Sequence, residues 1–307
     1  MNRLSCIRGN TRTRNAITGY AYLLPWLIGF LLLQIFPLVS SLYYSFTNYS
    51  IIGSYSWVGL DNFRRAINGL DINFWNSVRV TCIRALFAVP LKLGFALVIA
   101  IILNMNLKGI GIYRTVYYLP SIFGGSVAIA VLWRFLFNSD GLVNHLLSTL
   151  GIPGLNWLTD TRYALFTVSL VTVWEFGSSM VIFLAGLKQI PTELYESAQI
   201  DGASIMRRFV HITLPQLSPT ILFNLLIQTI NALQEFTTVS VFTNGGPVKS
   251  TYLYQMLIYD NAFQFHKMGY ASALSWLLFG VVLLFTAVLF ASTPLWLHYG
   301  DGGDKLI

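Results

Sequence analysis

Between Arg14 and Asp61 the chain carries no Asp, Glu, Lys or Arg. That interval contains YLLPWLIGFLLLQIFPLVSSLYYSF, which exceeds the roughly 20 apolar residues needed to cross a bilayer as a helix. A Lys, Arg or Asp at a helix centre costs about 2.5–3.5 kcal/mol in a membrane, so charge-poor runs are the cheapest guide to spans. The first falls around 18–46. The second, around 80–104, passes through LFAVP and LGFALVIAIIL and carries Lys92. Arg114 and Arg134 bracket the third, rich in Gly124, Gly125 and Ala; the fourth covers about 163–187 and holds Glu175. The fifth covers about 217–243 and holds Glu235, and Lys267 and Asp301 bracket the sixth. The expected fold is an all-α, polytopic membrane protein with six transmembrane helices. Its parts would be an N-terminal arm over 1–16, a transmembrane domain over 17–292 and a tail over 293–307.

Composition supports this class. Only 10% of the 307 residues are charged and 55% are hydrophobic, against about 25% charged in soluble domains. A large soluble enzyme, a disordered chain and a nucleic-acid module are excluded together. The formal charge of +7 then becomes a matter of which side of the bilayer the cations occupy. With the N-terminus inside, ten Lys and Arg (Arg3, Arg8, Arg12, Arg14, Lys108, Arg114, Lys188, Arg207, Arg208, Lys305) lie inside and five (Arg64, Arg65, Arg162, Lys249, Lys267) outside. The positive-inside bias therefore places both termini and the loop at 189–216 in the cytoplasm. The N-terminal arginines and apolar run resemble a signal peptide superficially, but the run is too long and lacks an A-x-A site, so it reads as an uncleaved span. Cys6 and Cys82 are too few for a disulfide framework and have no C-x-x-C spacing. The sequon Asn48-Tyr49-Ser50 reads as accidental.

The loop after span four, LKQIPTELYESAQIDGASIMRRFVHITLPQLSP, encodes a helix–turn–helix hairpin. Pro191 stops the preceding helix, Thr192 is an N-cap, and Glu193 and Glu196 complement the helix dipole. Gly202 supplies the turn. Ser204 caps a second short helix carrying Met206, Arg207, Arg208 and Phe209, which Pro215 ends. Two readings fit: an interfacial connector between spans, or a docking element for a cytoplasmic partner.

Glu196-Ser197-Ala198, three residues, Gly202, nine residues and Ile212-x-Leu214-Pro215 match the spacing of the EAA motif, E-A-A-x3-G-x9-I-x-L-P. The segment resembles the permease subunits of binding-protein-dependent ABC importers, with Ser197 as the single small-for-small departure. VGLDNFRRAI, YRTVYYLPSIFGGSVAIAVLWRFLFN and FTNGGP are similar to the carbohydrate branch that includes maltose and glycerol-phosphate permeases. The resemblance implies a type I ABC importer permease fold and a coupling loop of Glu193, Glu196, Ala198, Gly202, Leu214 and Pro215 docked on a cytoplasmic ATPase. Glu196 would be its acidic anchor and Gly202 its turn. It also implies a second permease, two ATPase subunits and an extracytoplasmic solute-binding protein as partners, and no cofactor on this chain. ATP and Mg would bind the ATPases, since the chain has no G-x-x-x-x-G-K-[ST] loop.

Polar side chains at bilayer depth are costly and usually face a bundle interior or a water-filled path. Asn224, Gln228, Asn231 and Glu235 are spaced by four, three and four, one helical face of span five, with Gln234 beside it. Either they hydrogen-bond between helices, or they line a polar, sugar-sized cavity whose amides and carboxylate both donate to and accept from hydroxyls. Trp174, Glu175 and Ser178 offer the same choice in span four. In the maltose branch substrate contacts fall in these stretches, and Glu235 matches one such position by distance from FTNGGP. A Glu there departs from that branch. Lys92 would pair with Glu175 or Glu235; Arg79, Arg84 and Arg134 read as snorkelling to headgroups; Pro25, Pro37 and Pro90 suggest kinks.

No His/Cys ligand spacing, H-E-x-x-H or G-x-S-x-G elbow occurs, so no metal site and no catalytic residue is expected. Two other classes compete: an ion-coupled secondary transporter using Glu175 or Glu235, and an intramembrane enzyme joining those carboxylates. Neutral oligosaccharides, uronic-acid oligomers and glycerol phosphodiesters are all open as cargo.

Overall fold

A computed structural model describes residues 5–51, 53, 55–105 and 109–297, with side chains from Thr18 onward. Arg3, Lys108, Asp301 and Lys305, and the side chains of Cys6, Arg8, Arg12 and Arg14, lie outside the described residues. The described chain is all-α: it holds no strand beyond an isolated bridge between Thr47 and Trp57. Three helices are long and apolar enough to cross a membrane unaided: Thr18–Ser45, Ile72–Asn104 and Met268–Trp296. Three bent helix pairs bring the total to six if each pair is one span.

The chain packs as two compact units, Met1–Arg65 with Asn261–Leu277, and Ala66–Asp260 with Leu278–Ile307. In the first, span one runs to Ser45 through a widened turn at Leu31–Ile35, where the Phe36 N–H reaches back to the Leu31 carbonyl. Pro37 follows directly. A proline cannot donate and crowds the carbonyl four residues back, and the wider turn accommodates it without a sharp kink. Asn62 then donates to the carbonyls of Ser45 and Thr47 at 2.9 and 2.8 Å, closing the chain back on the end of the span.

In the second unit the central helix is span two. It starts eight residues earlier than expected, at Ile72, where the Asp71 carboxylate accepts from the Asn73 N–H at 3.0 Å. Its buried face steps through Thr81, Arg84, Ala88, Lys92, Ala96 and Ala100, intervals of three and four that make one helical stripe. Small residues on that stripe let other helices approach closely, and Phe176, Met180, Phe183 and Leu217 pack there with Val89 and Leu93. Pro90 sits inside this helix without interrupting it.

The sharp bends are elsewhere than at the three prolines. Ile110–Phe123 and Val127–Leu136 diverge by 101°, so span three is two helices meeting at Gly124–Gly125 and not one rod. Span four bends by 47° between Ala164–Trp174 and Gly177–Leu187, at Glu175 and Phe176. The helix of span five, Ser218–Leu233, ends ten residues short of the expected 243; Gln234–Phe236 are unwound before a short helix at Thr237–Phe242.

The hairpin between spans four and five has the expected form with two corrections. Thr192 is the first helical residue of Thr192–Ile200 and makes no cap; Pro191 holds the cap position. Pro215 does not end the second arm. The arm continues from Ile205 to Gln216 through a widened turn at Phe209–Thr213, and the 66° bend into span five comes at Leu217. As at Pro37, the widened turn absorbs a proline that follows it. Gly202 has φ +73°, with its N–H on the Gln199 carbonyl and the Ala203 N–H on the Ala198 carbonyl at 3.1 and 2.9 Å. This is a complete Schellman stop. Ser204 caps the second arm by accepting from the Arg207 N–H at 3.3 Å.

Candidate functional site

Span two, the break in span four and the break in span five meet at a cavity of about 260 Å³. Ala88, Val89 and Lys92 line it from span two, Thr172 and Glu175 from span four, and Gln228, Asn231, Ala232 and Glu235 from span five. The two carboxylates of the wall, Glu175 and Glu235, sit at the breaks, while Lys92, Thr172, Gln228 and Asn231 project from intact helices. Where a helix unwinds, its backbone groups need new partners. At the span-four break Ser121 provides them: its hydroxyl donates to the Glu175 carbonyl at 3.1 Å and accepts from the Ser178 N–H at 2.9 Å. At the span-five break the Glu235 carboxylate accepts from the Thr238 N–H at 3.0 Å.

Arg84 is the most buried large polar residue here, 1% exposed. Its guanidinium donates to the Thr172 hydroxyl at 2.7 Å and the Ala232 carbonyl at 3.3 Å, and approaches Glu235 Oε2 to 3.9 Å. It therefore ties span two to span four and to the end of the span-five helix. The expectation that Arg84 snorkels to headgroups is overturned: the side chain turns inward, where a carboxylate and two oxygen acceptors compensate its charge. A signal for this is present in the sequence, because Arg84, Ala88 and Lys92 recur at intervals of four on one face. Arg79 and Arg134 are exposed, and Arg134 donates to the Val241 carbonyl at 3.2 Å.

The two carboxylates are held differently. Glu235 is engaged by Arg84 and by a backbone N–H. Glu175 packs against Gly124, at the bend of span three: a Cβ on Gly124 would overlap its Cγ and Cδ and fall 2.6 Å from its Oε1. Only glycine leaves room for the Glu175 side chain. Lys92, 7% exposed, lines the same cavity yet forms no ion pair within 4.0 Å and no hydrogen bond among the described residues. The anticipated Lys92 contact with Glu175 or Glu235 is thus absent, although all three share one cavity.

Residues 80–295 match the family of binding-protein-dependent transport system inner membrane components. The chain belongs to that family. This permease is 47% identical over 289 residues to the probable ABC transporter permease protein YesP of Bacillus subtilis, with 93% of each chain covered. It is 37% identical to the trehalose/maltose transport system permease protein MalF of Thermococcus litoralis, over 90% of this chain and 93% of that one. Among solved structures, a bacterial ABC transporter involved in import of the acidic polysaccharide alginate superposes with a TM-score of 0.78 at 25% identity, covering 94% of this permease and 98% of that chain. The carbohydrate-type branch expected from VGLDNFRRAI, the span-three segment and FTNGGP, and the type I importer fold expected from the resemblance to EAA-bearing permeases, are those of these relatives.

Of the eight side chains singled out for the path, the cavity wall includes Glu175, Gln228, Asn231 and Glu235. Trp174 instead packs edge-on against Trp133, ring centroids 5.5 Å apart. Ser178 joins the span-four break through its backbone, Gln234 is exposed, and Asn224 is buried elsewhere with neither amide atom partnered among the described residues. Thr172 and Lys92 are wall residues, with Arg84 bonded to Thr172 behind the wall, that periodicity in span five alone does not reveal. Of the six coupling residues, Glu193, Glu196 and Gly202 are exposed on the hairpin, while Ala198, Leu214 and Pro215 are partly covered. No group of three or more His, Cys, Asp or Glu among the described residues is placed to hold a metal ion.

Proposed function

We propose that this permease is one half of the translocation pathway of an ATP-driven sugar importer, coupled through the hairpin at 189–216 to a cytoplasmic ATPase. The observation that carries the reading is the hairpin itself. Thr192–Ile200 and Ile205–Gln216 are joined by a left-handed glycine and pinned together by Tyr195 Oη and Thr213 Oγ1, 2.9 Å apart. Such a rigid pair of arms exposes Glu193, Glu196, Ile200, Ile205 and Met206, a mixed acidic and apolar face suited to a protein groove. An interfacial connector has no need of so firm a turn.

A second permease, two ATPase subunits binding ATP and Mg, and an extracytoplasmic solute-binding protein complete the assembly. Both termini of the permease are cytoplasmic, following the Lys and Arg bias. The solved alginate importer in complex with an alginate pentasaccharide-bound periplasmic protein supports delivery of cargo by such a binding protein. Cargo then crosses by alternating access through the cavity where spans two, four and five meet. Gln228, Asn231, Glu175 and Glu235 supply hydrogen bonds to hydroxyls, and Leu214 and Pro215 set the angle at which the hairpin joins span five.

Co-purification tests this reading. Glu196→Lys and Gly202→Pro should abolish uptake and strip the ATPase from the complex while membrane insertion is retained. Full uptake and full ATPase recovery in both variants would contradict it.

A further inference from the structure

Lys92 and Glu175 stand on one cavity wall as an open pair. Each has an ionisable head that no described residue within hydrogen-bonding distance satisfies. The other two charges at this level, Arg84 and Glu235, are already matched to each other and to Thr172, Ala232 and Thr238. From this arrangement we infer that Lys92 and Glu175 are the specificity-determining pair of the cavity, taking an uncharged saccharide hydroxyl between them. The hydroxyl accepts from the ammonium and donates to the carboxylate. The inference rests on the sugar-importer reading and adds to it which chemistry the cavity selects.

Charge parity is the reason. Two cations and two carboxylates leave the cavity neutral, and an uncompensated buried charge is strongly unfavourable. A carboxylate-bearing sugar placed on Lys92 would leave Glu175 unmatched; an amino sugar on Glu175 would do the same to Lys92. A hydroxyl is both donor and acceptor, so it completes both heads and leaves the balance untouched. Gln228 and Asn231, amides with two donors and an acceptor oxygen each, extend the same neutral recognition along span five. Gly124 keeps the pair open, because its missing Cβ is the space Glu175 occupies.

The complete importer, purified in detergent with its second permease and ATPases, provides the test. It is titrated with matched pairs of methyl hexosides and methyl hexuronides in the gluco, galacto and manno series, and binding is followed by saturation-transfer NMR. The neutral partner of the bound series should bind about tenfold more tightly than its uronide, the effect of one unmatched charge. Glu175→Gln should reverse that preference by freeing Lys92 for a carboxylate, and Lys92→Gln/Glu175→Gln should restore it by removing both charges. Because the double variant is again neutral, it also shows whether a single variant failed only by misfolding. A wild-type preference for the uronide, or an unchanged ratio in Glu175→Gln, overturns the inference while leaving the sugar reading intact. Loss of partner permease from Lys92→Gln with no change in ratio assigns Lys92 to the subunit interface and overturns it too. Wild-type complex that binds no glycoside in any series removes the sugar reading itself.

Discussion

Arg84 Nη2 lies 3.9 Å from Glu235 Oε2, so a residue in the middle of span two reaches the unwound end of span five. The arginine side chain is fully buried and the glutamate 20% exposed. Removing one partner of such a pair typically costs about 3–5 kcal/mol, whereas removing both is often close to neutral. Partial exposure of Glu235 places this pair toward the lower end. Arg84→Met should therefore lower the thermal midpoint of the complex and abolish uptake, and Arg84→Met/Glu235→Gln should recover most of the midpoint. A double-mutant thermal cycle reads the coupling directly, and additive effects would show that the two charges do not interact.

Gly124 and Glu175 make the second prediction. A methyl group at 124 has nowhere to go but into the glutamate carboxylate. Gly124→Ala should displace Glu175 and cut uptake at least about tenfold, with normal membrane insertion. Gly125, beside it, faces open space, so Gly125→Ala is the control and should retain most transport. Equal uptake by the two variants would contradict the packing of Glu175 against Gly124.

The contrast between Asn224 and Asn231 shows where helical periodicity stops being informative. The stripe at 224, 228, 231 and 235 is one face of a helix, and the face is real up to Leu233. Beyond it the backbone unwinds, so Glu235 reaches the cavity from a non-helical segment, and the cavity lies at the C-terminal end of the stripe only. Asn224, two turns away, is buried without partners among the described residues. Replacing an unsatisfied buried amide with an apolar side chain of similar shape is close to neutral, so Asn224→Leu should leave uptake within about twofold, while Asn231→Ala should cut it severalfold. Uptake assays at several cargo concentrations distinguish the two.

Much of the fold is legible in the sequence because bilayer burial imposes a simple rule. Each run free of charge between Arg14 and Asp61, or between Lys267 and Asp301, has few alternatives to a spanning helix. The hairpin is legible too, since Gly202 and Ser204 are local stop and start signals. The bends are not. Proline marks where a helix lacks a donor, yet widened turns before Pro37 and Pro215 absorb the defect. The large bend in span three occurs where Gly124 admits a side chain from another span. That is a tertiary event; the local signals, Gly124-Gly125 and the Ser126 hydroxyl that accepts from the Ile129 N–H, mark the break but not its angle. Arg84 is legible only in part: its spacing of four from Ala88 puts it on the Lys92 face, but its acceptors, Thr172, Ala232 and Glu235, come from other spans.

The Schellman stop at Gly202 requires φ +73°, a region that costs an L-residue about 1–2 kcal/mol. Gly202→Ala should loosen the angle between the hairpin arms without dissociating them. The expected outcome is a complex that keeps its ATPase but hydrolyses ATP with less stimulation by loaded binding protein. Unchanged stimulation would show that the arm angle is not used in coupling.

Movement of cargo through the Glu175–Gln228–Asn231 cavity at the expense of ATP hydrolysed by a partner makes uptake depend on both the cavity and the ATPase. Uptake into proteoliposomes holding the complete importer, with the binding protein and its ligand outside and ATP inside, tests it most directly. Cargo should accumulate only with ATP and binding protein present, and Gln228→Ala/Asn231→Ala should abolish accumulation while ATPase and permease are recovered together. Accumulation driven by an imposed proton or sodium gradient without ATP, or full uptake by that double variant, would contradict ATP-driven transport through this cavity.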